Sequence, residues 1–148
     1  MYTRIFVAID SSDTAKKALD EALRLAVALK TSLCIAHALD EGPLVQHGLG
    51  IGTFIDIDRI KAEMRKAAQV LLEQAASAAN TAGIAAEQCL MESEDKRPAE
   101  QIVAAAQAWG ADLIVVGTHG RHGVDRLLVG SVAENMSRLA TTSLLMVR

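Results

Sequence analysis

Five short runs of branched apolar residues, separated by stretches with helical periodicity, restrict this chain to an alternating α/β architecture. The predicted strands cover residues 4–9, 33–38, 85–91, 113–116 and 144–147. Leu113-Ile114-Val115-Val116 is apolar throughout, as a strand buried on both faces of a parallel sheet must be. After the polar turn Asp10-Ser11-Ser12-Asp13, a first helix runs to about Leu29. Ala15, Ala18, Leu19, Ala22, Leu25, Ala26 and Leu29 lie on its inner face, and Lys16, Lys17, Asp20, Glu21 and Arg24 face solvent. A long helix over residues 58–82, roughly 37 Å at 1.5 Å per residue, aligns Ile60, Met64, Ala67, Ala68, Leu71 and Ala75 and ends at Gly83. Pro98 opens a third helix and Gly110 closes it; a fourth runs from Ser131 to about Leu139. Parallel strands joined by right-handed crossovers give an open sheet with helices on both faces. With strand one central, the carboxyl ends of strands one and four flank the point where strand order reverses, and Asp10 and Gly117 face one cleft. No repeat or linker interrupts the 148 residues, so a single domain over 1–148 is expected.

Half the residues are hydrophobic and only 3% aromatic, so Ala, Leu, Ile and Val must fill the core. A net charge of -3 without a Lys/Arg run argues against a nucleic-acid partner. No apolar run is long enough for a membrane span, and residues 1–10 read as a strand entering a turn rather than a secretory signal. Cys34 and Cys89 fall inside predicted strands with no metal-ligand spacing, which points to buried thiols and a reducing cytoplasm.

The chemistry concentrates after strand four. Gly117-Thr118-His119-Gly120 is followed by nine residues and then Gly130-Ser131 at the start of a helix. Glycine lets backbone N–H groups approach an anion closely, and a first helical turn leaves N–H groups without internal partners. Thr118, His119, Arg121, His122 and Arg126 bring positive or hydrogen-bonding groups to the same loop. Asp10 is either an acceptor for an amino group or ribose hydroxyl, or a turn and helix-cap aspartate. His37 and His119 lack a third ligand at metal-binding spacing, so no metal site is assigned. The acidic run Glu92, Glu94 and Asp95 fits a solvated loop or a Mg²⁺ contact and stays unassigned. Residues 39–57 carry Gly42, Pro43, Gly48, Gly50 and Gly52 without periodicity and are expected to form a mobile loop. Their Gly-rich stretch is no dinucleotide fingerprint, because Thr53 stands where the third glycine belongs. A P-loop, a nucleophile elbow and a Cys/His pair are all missing, and no catalytic residue is assigned.

These pieces together resemble the universal stress protein family. The resemblance rests on Ile5-Phe6-Val7-Ala8-Ile9-Asp10, on Ala36-His37-Ala38, and on the segment from Leu113 to Arg121 leading to Gly130-Ser131-Val132-Ala133. It covers the whole chain. Its most specific element is Gly-x2-Gly-x9-Gly-Ser, the pattern that in this family separates ATP-binding members from those that have lost the site. Every position of it is kept here. The resemblance implies a Rossmann-like, adenine nucleotide alpha hydrolase-like fold with strand order 3-2-1-4-5. It implies that the Ala8 backbone and Asp10 side chain line the adenosine and that Ala38 meets the adenine. Val116, Gly117, Thr118, His119, Gly120, Arg121, His122 and Gly123 would surround ribose and phosphates, and Gly130, Ser131 and Val132 would hold the phosphate chain. The implied ligand is ATP, with AMP or ADP as variants, and Mg²⁺ or Mn²⁺ bound through the phosphates. Two departures stand out. Ala133 replaces a common hydroxyl residue, and Ala140-Thr141-Thr142-Ser143 lacks the proline that commonly precedes the last strand. The family also implies a homodimer paired along the apolar edge from Leu144 to Val147.

The function expected on this basis is an ATP-binding, nucleotide-dependent regulatory module of the stress response. ATP occupancy would shift the 39–57 loop and thereby contact with an unidentified protein partner. A slow Mg-dependent ATP hydrolase or nucleotidyl-type enzyme is the alternative, against which stands the lack of an evident general base. A nucleotide-free dimeric scaffold is the second alternative, and it leaves the glycines without a purpose.

Overall fold

β1 (Arg4–Ala8) lies at the centre of five parallel strands because both of its faces are apolar: Ile5, Phe6 and Val7 are fully buried. The computed structural model describes residues 1–44, 56–120 and 129–148. Along them follow α1 (Asp13–Leu29), β2 (Ser32–Ala38), α2 (Ile57–Thr81), β3 (Glu87–Met91), α3 (Pro98–Trp109), β4 (Leu113–Gly117), α4 (Ser131–Leu139) and β5 (Ser143–Val147). The sheet order is β3-β2-β1-β4-β5, as expected from the sequence, with Val7 between Ile35 on β2 and Val115 on β4. Strand ends differ slightly from expectation. β3 starts at Glu87 rather than residue 85, and β5 starts at Ser143, one residue early despite the missing proline. The glycine-rich residues 48–52 lie outside the described residues.

Alternation along β1 divides the core in two. Ile5 and Val7 pack with Ile35 and Val115 against the alanines and Leu23 of α1 and Leu72 and Ala75 of α2. Phe6 points the other way, with Cys34 and Ile114, towards Ala99, Ile102 and Ala106 of α3 and Met136 of α4. Burial pushes the Cys34 thiol up to about 12, with Cys89 and Glu87 adding to the effect and Arg4 opposing it; burial also raises Cys89. At pH 8, Cys34 therefore carries far less thiolate than a free cysteine. Iodoacetamide is expected to leave Cys34 unmodified in the native protein and to alkylate it on unfolding; rapid native labelling, read by peptide mass spectrometry, would contradict this.

The inner stripe of α2 departs from its expected course. Ala68, Leu72, Ala75, Ala76 and Ala79 are buried, whereas Ala67 is exposed and Ile60 and Met64 are only half-buried. The cause is length: 25 residues span about 37 Å, but five-residue strands cover only about 17 Å. The first turns of α2 extend beyond what the strands can cover, and among the described residues ion pairs dock them. Lys61 Nζ bridges the buried carboxylate of Glu41, at 3.1 Å, and Glu94, at 2.5 Å. Arg65 holds Glu92 through two bonds of 2.6 and 2.9 Å. Two members of the unassigned acidic run thus serve as anchors for α2.

At the amino end of the sheet, Asp112 accepts from Thr3 N–H at 2.8 Å, Thr3 Oγ1 at 2.7 Å and Arg4 N–H at 2.9 Å. The Arg4 guanidinium lies 4.0 Å over the Trp109 ring. Burial pushes the Asp112 carboxyl up, but these hydrogen bonds outweigh it and hold the group below its usual range. Arg65 lowers Glu92 and Lys61 lowers Glu94 in the same sense. A carboxylate depressed in the folded state contributes stability above its unfolded value, and that contribution is lost as pH falls through the folded value. The urea midpoint is accordingly expected to hold steady from pH 7 to about 5 and to fall below about 4. Asp112→Asn should flatten part of that fall, and a midpoint unchanged down to pH 3 would refute the assignment.

Candidate functional site

The carboxyl ends of β1, β2 and β4 bring Ala8, Asp10, Ala38, Val116 and Gly117 to one end of the sheet. Asp10 takes the turn role considered from the sequence. Its Oδ1 accepts the Ser12 N–H at 2.8 Å, making the turn into α1, while Oδ2 lies 3.3 Å from where a Cβ on Gly120 would stand. His37 is buried beneath this end and donates from Nδ1 to the Ile9 carbonyl at 2.7 Å.

The two halves of the glycine pattern meet. Gly130 N–H donates to the Thr118 carbonyl at 2.6 Å, and a Cβ on Gly130 would stand 3.1 Å from that oxygen and 3.4 Å from Gly120 N. Thr118 is buried, its N–H bonded to Val147 O at 2.8 Å and its hydroxyl 2.9 Å from His119 Nδ1. His119 Nε2 is buried without a partner among the described residues. Gly130 caps α4 without a side-chain hydrogen bond, and among the described residues no side chain caps the first-turn N–H groups at Ser131 and Val132. Ser131 is exposed and Val132 half-buried. Ala133 is 1% exposed and packed in the core, so its side chain does not reach the crevice. Arg121, His122, Gly123 and Arg126 lie outside the described residues. Among the described residues no group of three or more His, Cys, Asp or Glu side chains gathers as a metal site, and no helix is long and apolar enough to cross a membrane.

Sequence reasoning missed Thr14. Its hydroxyl donates to the His119 carbonyl and accepts the His119 N–H at 3.3 Å, and Ser12 Oγ donates to the same carbonyl at 3.2 Å. One signal was available: Thr14 stands four and eight residues before Ala18 and Ala22, a hydroxyl on the inward stripe of α1. Gln101 was also missed; its buried Nε2 ties the Leu39 carbonyl, at 3.1 Å, to that of Lys96, at 2.9 Å.

A model of the universal stress protein family matches residues 1–148. The chain belongs to the universal stress protein family. It is 35% identical over 151 residues to Universal stress protein YxiE of Bacillus subtilis, with both chains covered in full. Among solved structures, this universal stress protein is similar to a family member from Burkholderia pseudomallei, at 31% identity and a TM-score of 0.79, covering 99% of this chain and 96% of that one. A universal stress protein in complex with cAMP is 28% identical, with a TM-score of 0.71 and coverage of 99% and 97%. The universal stress protein of Archaeoglobus fulgidus in complex with dAMP is 27% identical, with a TM-score of 0.68 and coverage of 99% and 98%.

Proposed function

We propose that this universal stress protein binds ATP at the carboxyl end of its sheet and works as a homodimeric, nucleotide-dependent regulatory module of the cytoplasmic stress response. The observation that carries the reading is the 2.6 Å bond from Gly130 N–H to the Thr118 carbonyl, which closes the two glycine segments on each other beside Asp10. Backbone N–H groups from the loop and from the first turn of α4 then serve one anion. Asp10 Oδ2 accepts a ribose hydroxyl or base amino group, Ala8 and Ala38 border the adenosine, and Ser131 and Val132 hold phosphate. Mg²⁺ or Mn²⁺ is carried by the phosphates. The cAMP and dAMP complexes of two relatives support an adenine nucleotide as the ligand class. Calorimetry with purified protein is expected to give a micromolar Kd for ATP, with AMP and ADP held through the same adenosine contacts. A folded protein that binds none of them at millimolar concentration ends the proposal.

The dimer half of the reading is supported by contrast between the sheet edges. β3 presents the exposed Glu87 and Gln88, whereas β5 carries Leu144, Leu145, Met146 and Val147 with no charge. Met146, Leu139 and Val129 are exposed apolar side chains near that edge or on α4 and the segment before it. Sedimentation at micromolar concentration should give twice the 15.7 kDa of one chain, and monomer alone would refute pairing through β5.

A further inference from the structure

Two hydroxyls at the start of α1 converge on one peptide group of the glycine loop. Thr14 Oγ1 donates its proton to the His119 carbonyl and accepts the His119 N–H at 3.3 Å. Ser12 Oγ, which accepts the Ala15 N–H at 3.2 Å as the cap of α1, donates to the same carbonyl at 3.2 Å. Every described peptide is trans, and a trans peptide points its C=O and N–H in opposite directions. Drawing the His119 carbonyl back onto α1 therefore turns the Gly120 N–H away from α1. Gly120 N lies on the Gly130 side, 3.4 Å from where Gly130 Cβ would stand, and its N–H has no acceptor among the described residues. Gly117 makes this approach possible, since any side chain there would collide with Thr14.

We propose that Thr14 is a positioning residue: its hydroxyl fixes the His119–Gly120 peptide so that the Gly120 N–H is aimed at the bound phosphate. The inference rests on reading the glycine loop as the anion site. Ser12 assists, but its hydroxyl is shared with the helix cap, whereas both hydrogen-bonding capacities of Thr14 are committed to His119. Thr14→Val keeps the volume and removes the hydroxyl. Loss of one aimed donor to a charged group weakens binding by about tenfold to a hundredfold.

The experiment has two arms on the parent protein, Thr14→Val and Thr14→Ser. Calorimetry with ATP is expected to show at least a tenfold loss for Thr14→Val and affinity within about twofold of the parent for Thr14→Ser. Amide spectra without nucleotide are expected to show the Gly120 N–H resonance displaced in Thr14→Val and retained in Thr14→Ser. Equal affinity of Thr14→Val and parent, an unmoved Gly120 resonance, or failure of serine to restore binding each overturns the proposal. Should the parent bind no ATP, the anion reading falls, while the Gly120 resonance still decides whether Thr14 sets that peptide. Thr14→Ala takes the place of valine in both arms if Thr14→Val does not fold.

Discussion

Gly117→Val is expected to lower the melting temperature by roughly 10 °C, corresponding to about 3 kcal/mol, with or without nucleotide. A Cβ at residue 117 would stand 2.7 Å from both the carbonyl carbon and Oγ1 of Thr14 and 2.9 Å from Ala15 N. Two of those three atoms are backbone in the first turn of α1, so no rotamer change relieves the contact. Either α1 slides away from the sheet or the end of β4 bends, and both disturb fully buried residues such as Val115 and Ala18. Gly120→Ala is the instructive contrast. Among the described residues its Cβ meets only the Asp10 carboxylate, at 3.3 Å, the end of a half-buried side chain. Calorimetric melting of the two variants checks the distinction: a drop under about 2 °C for Gly117→Val would mean that α1 and β4 are not in close contact. Loss of ligand in Gly120→Ala at an unchanged melting temperature is the cleaner probe of the site.

Phe6→Ala is expected to cost about 4 kcal/mol, near the upper part of the range for aromatic truncation, and to lower the melting temperature by about 12 °C. Phe6 is fully buried in the central strand, with its ring 6.1 Å from that of Trp109. Its neighbours on α3 include Ala99 and Ala106, both about 1% exposed. Alanines have no rotamers with which to refill the space, and the sheet beneath cannot move inward because its other face is packed against α1 and α2. The cavity therefore persists. Denaturation followed by circular dichroism gives the number, and a loss below about 2 kcal/mol would show that the α3 layer collapses into the gap.

The architecture was legible because strand and helix signals came in strict alternation and few alternatives survive the crossover rule. Residues 113–116 could be placed as a buried strand from composition alone, and the reversal of strand order beside it follows once strand one is central. The burial pattern of α2 was not legible. Its inward stripe changes where the helix leaves the sheet, and that depends on the relative length of strand and helix, not on the 3.6-residue period that pointed to Ala67. Glu92 and Glu94 were unassignable for a related reason: their partners, Arg65 and Lys61, are 27 and 33 residues away and meet them only once α2 lies across β3. The candidate site was half legible. Glycine spacing marked the loop, because a requirement for missing side chains leaves a trace in sequence. The contact of Thr14 with His119 spans 105 residues, and its one local trace is a hydroxyl on the inward stripe of α1.

The protein has one indole, and it belongs to the end of the molecule that the crevice does not occupy. Trp109 closes α3 beside Arg4, where β1 begins, whereas Gly120 and Gly130 stand past the strand ends on the opposite side. Intrinsic emission from this chain will accordingly track whether the barrel of contacts around Arg4 and Phe6 is intact and stay silent as the crevice fills. A flat fluorescence titration with nucleotide is thus the anticipated trace for a protein that binds, and occupancy must be followed by heat, by a labelled ligand or by amide resonances.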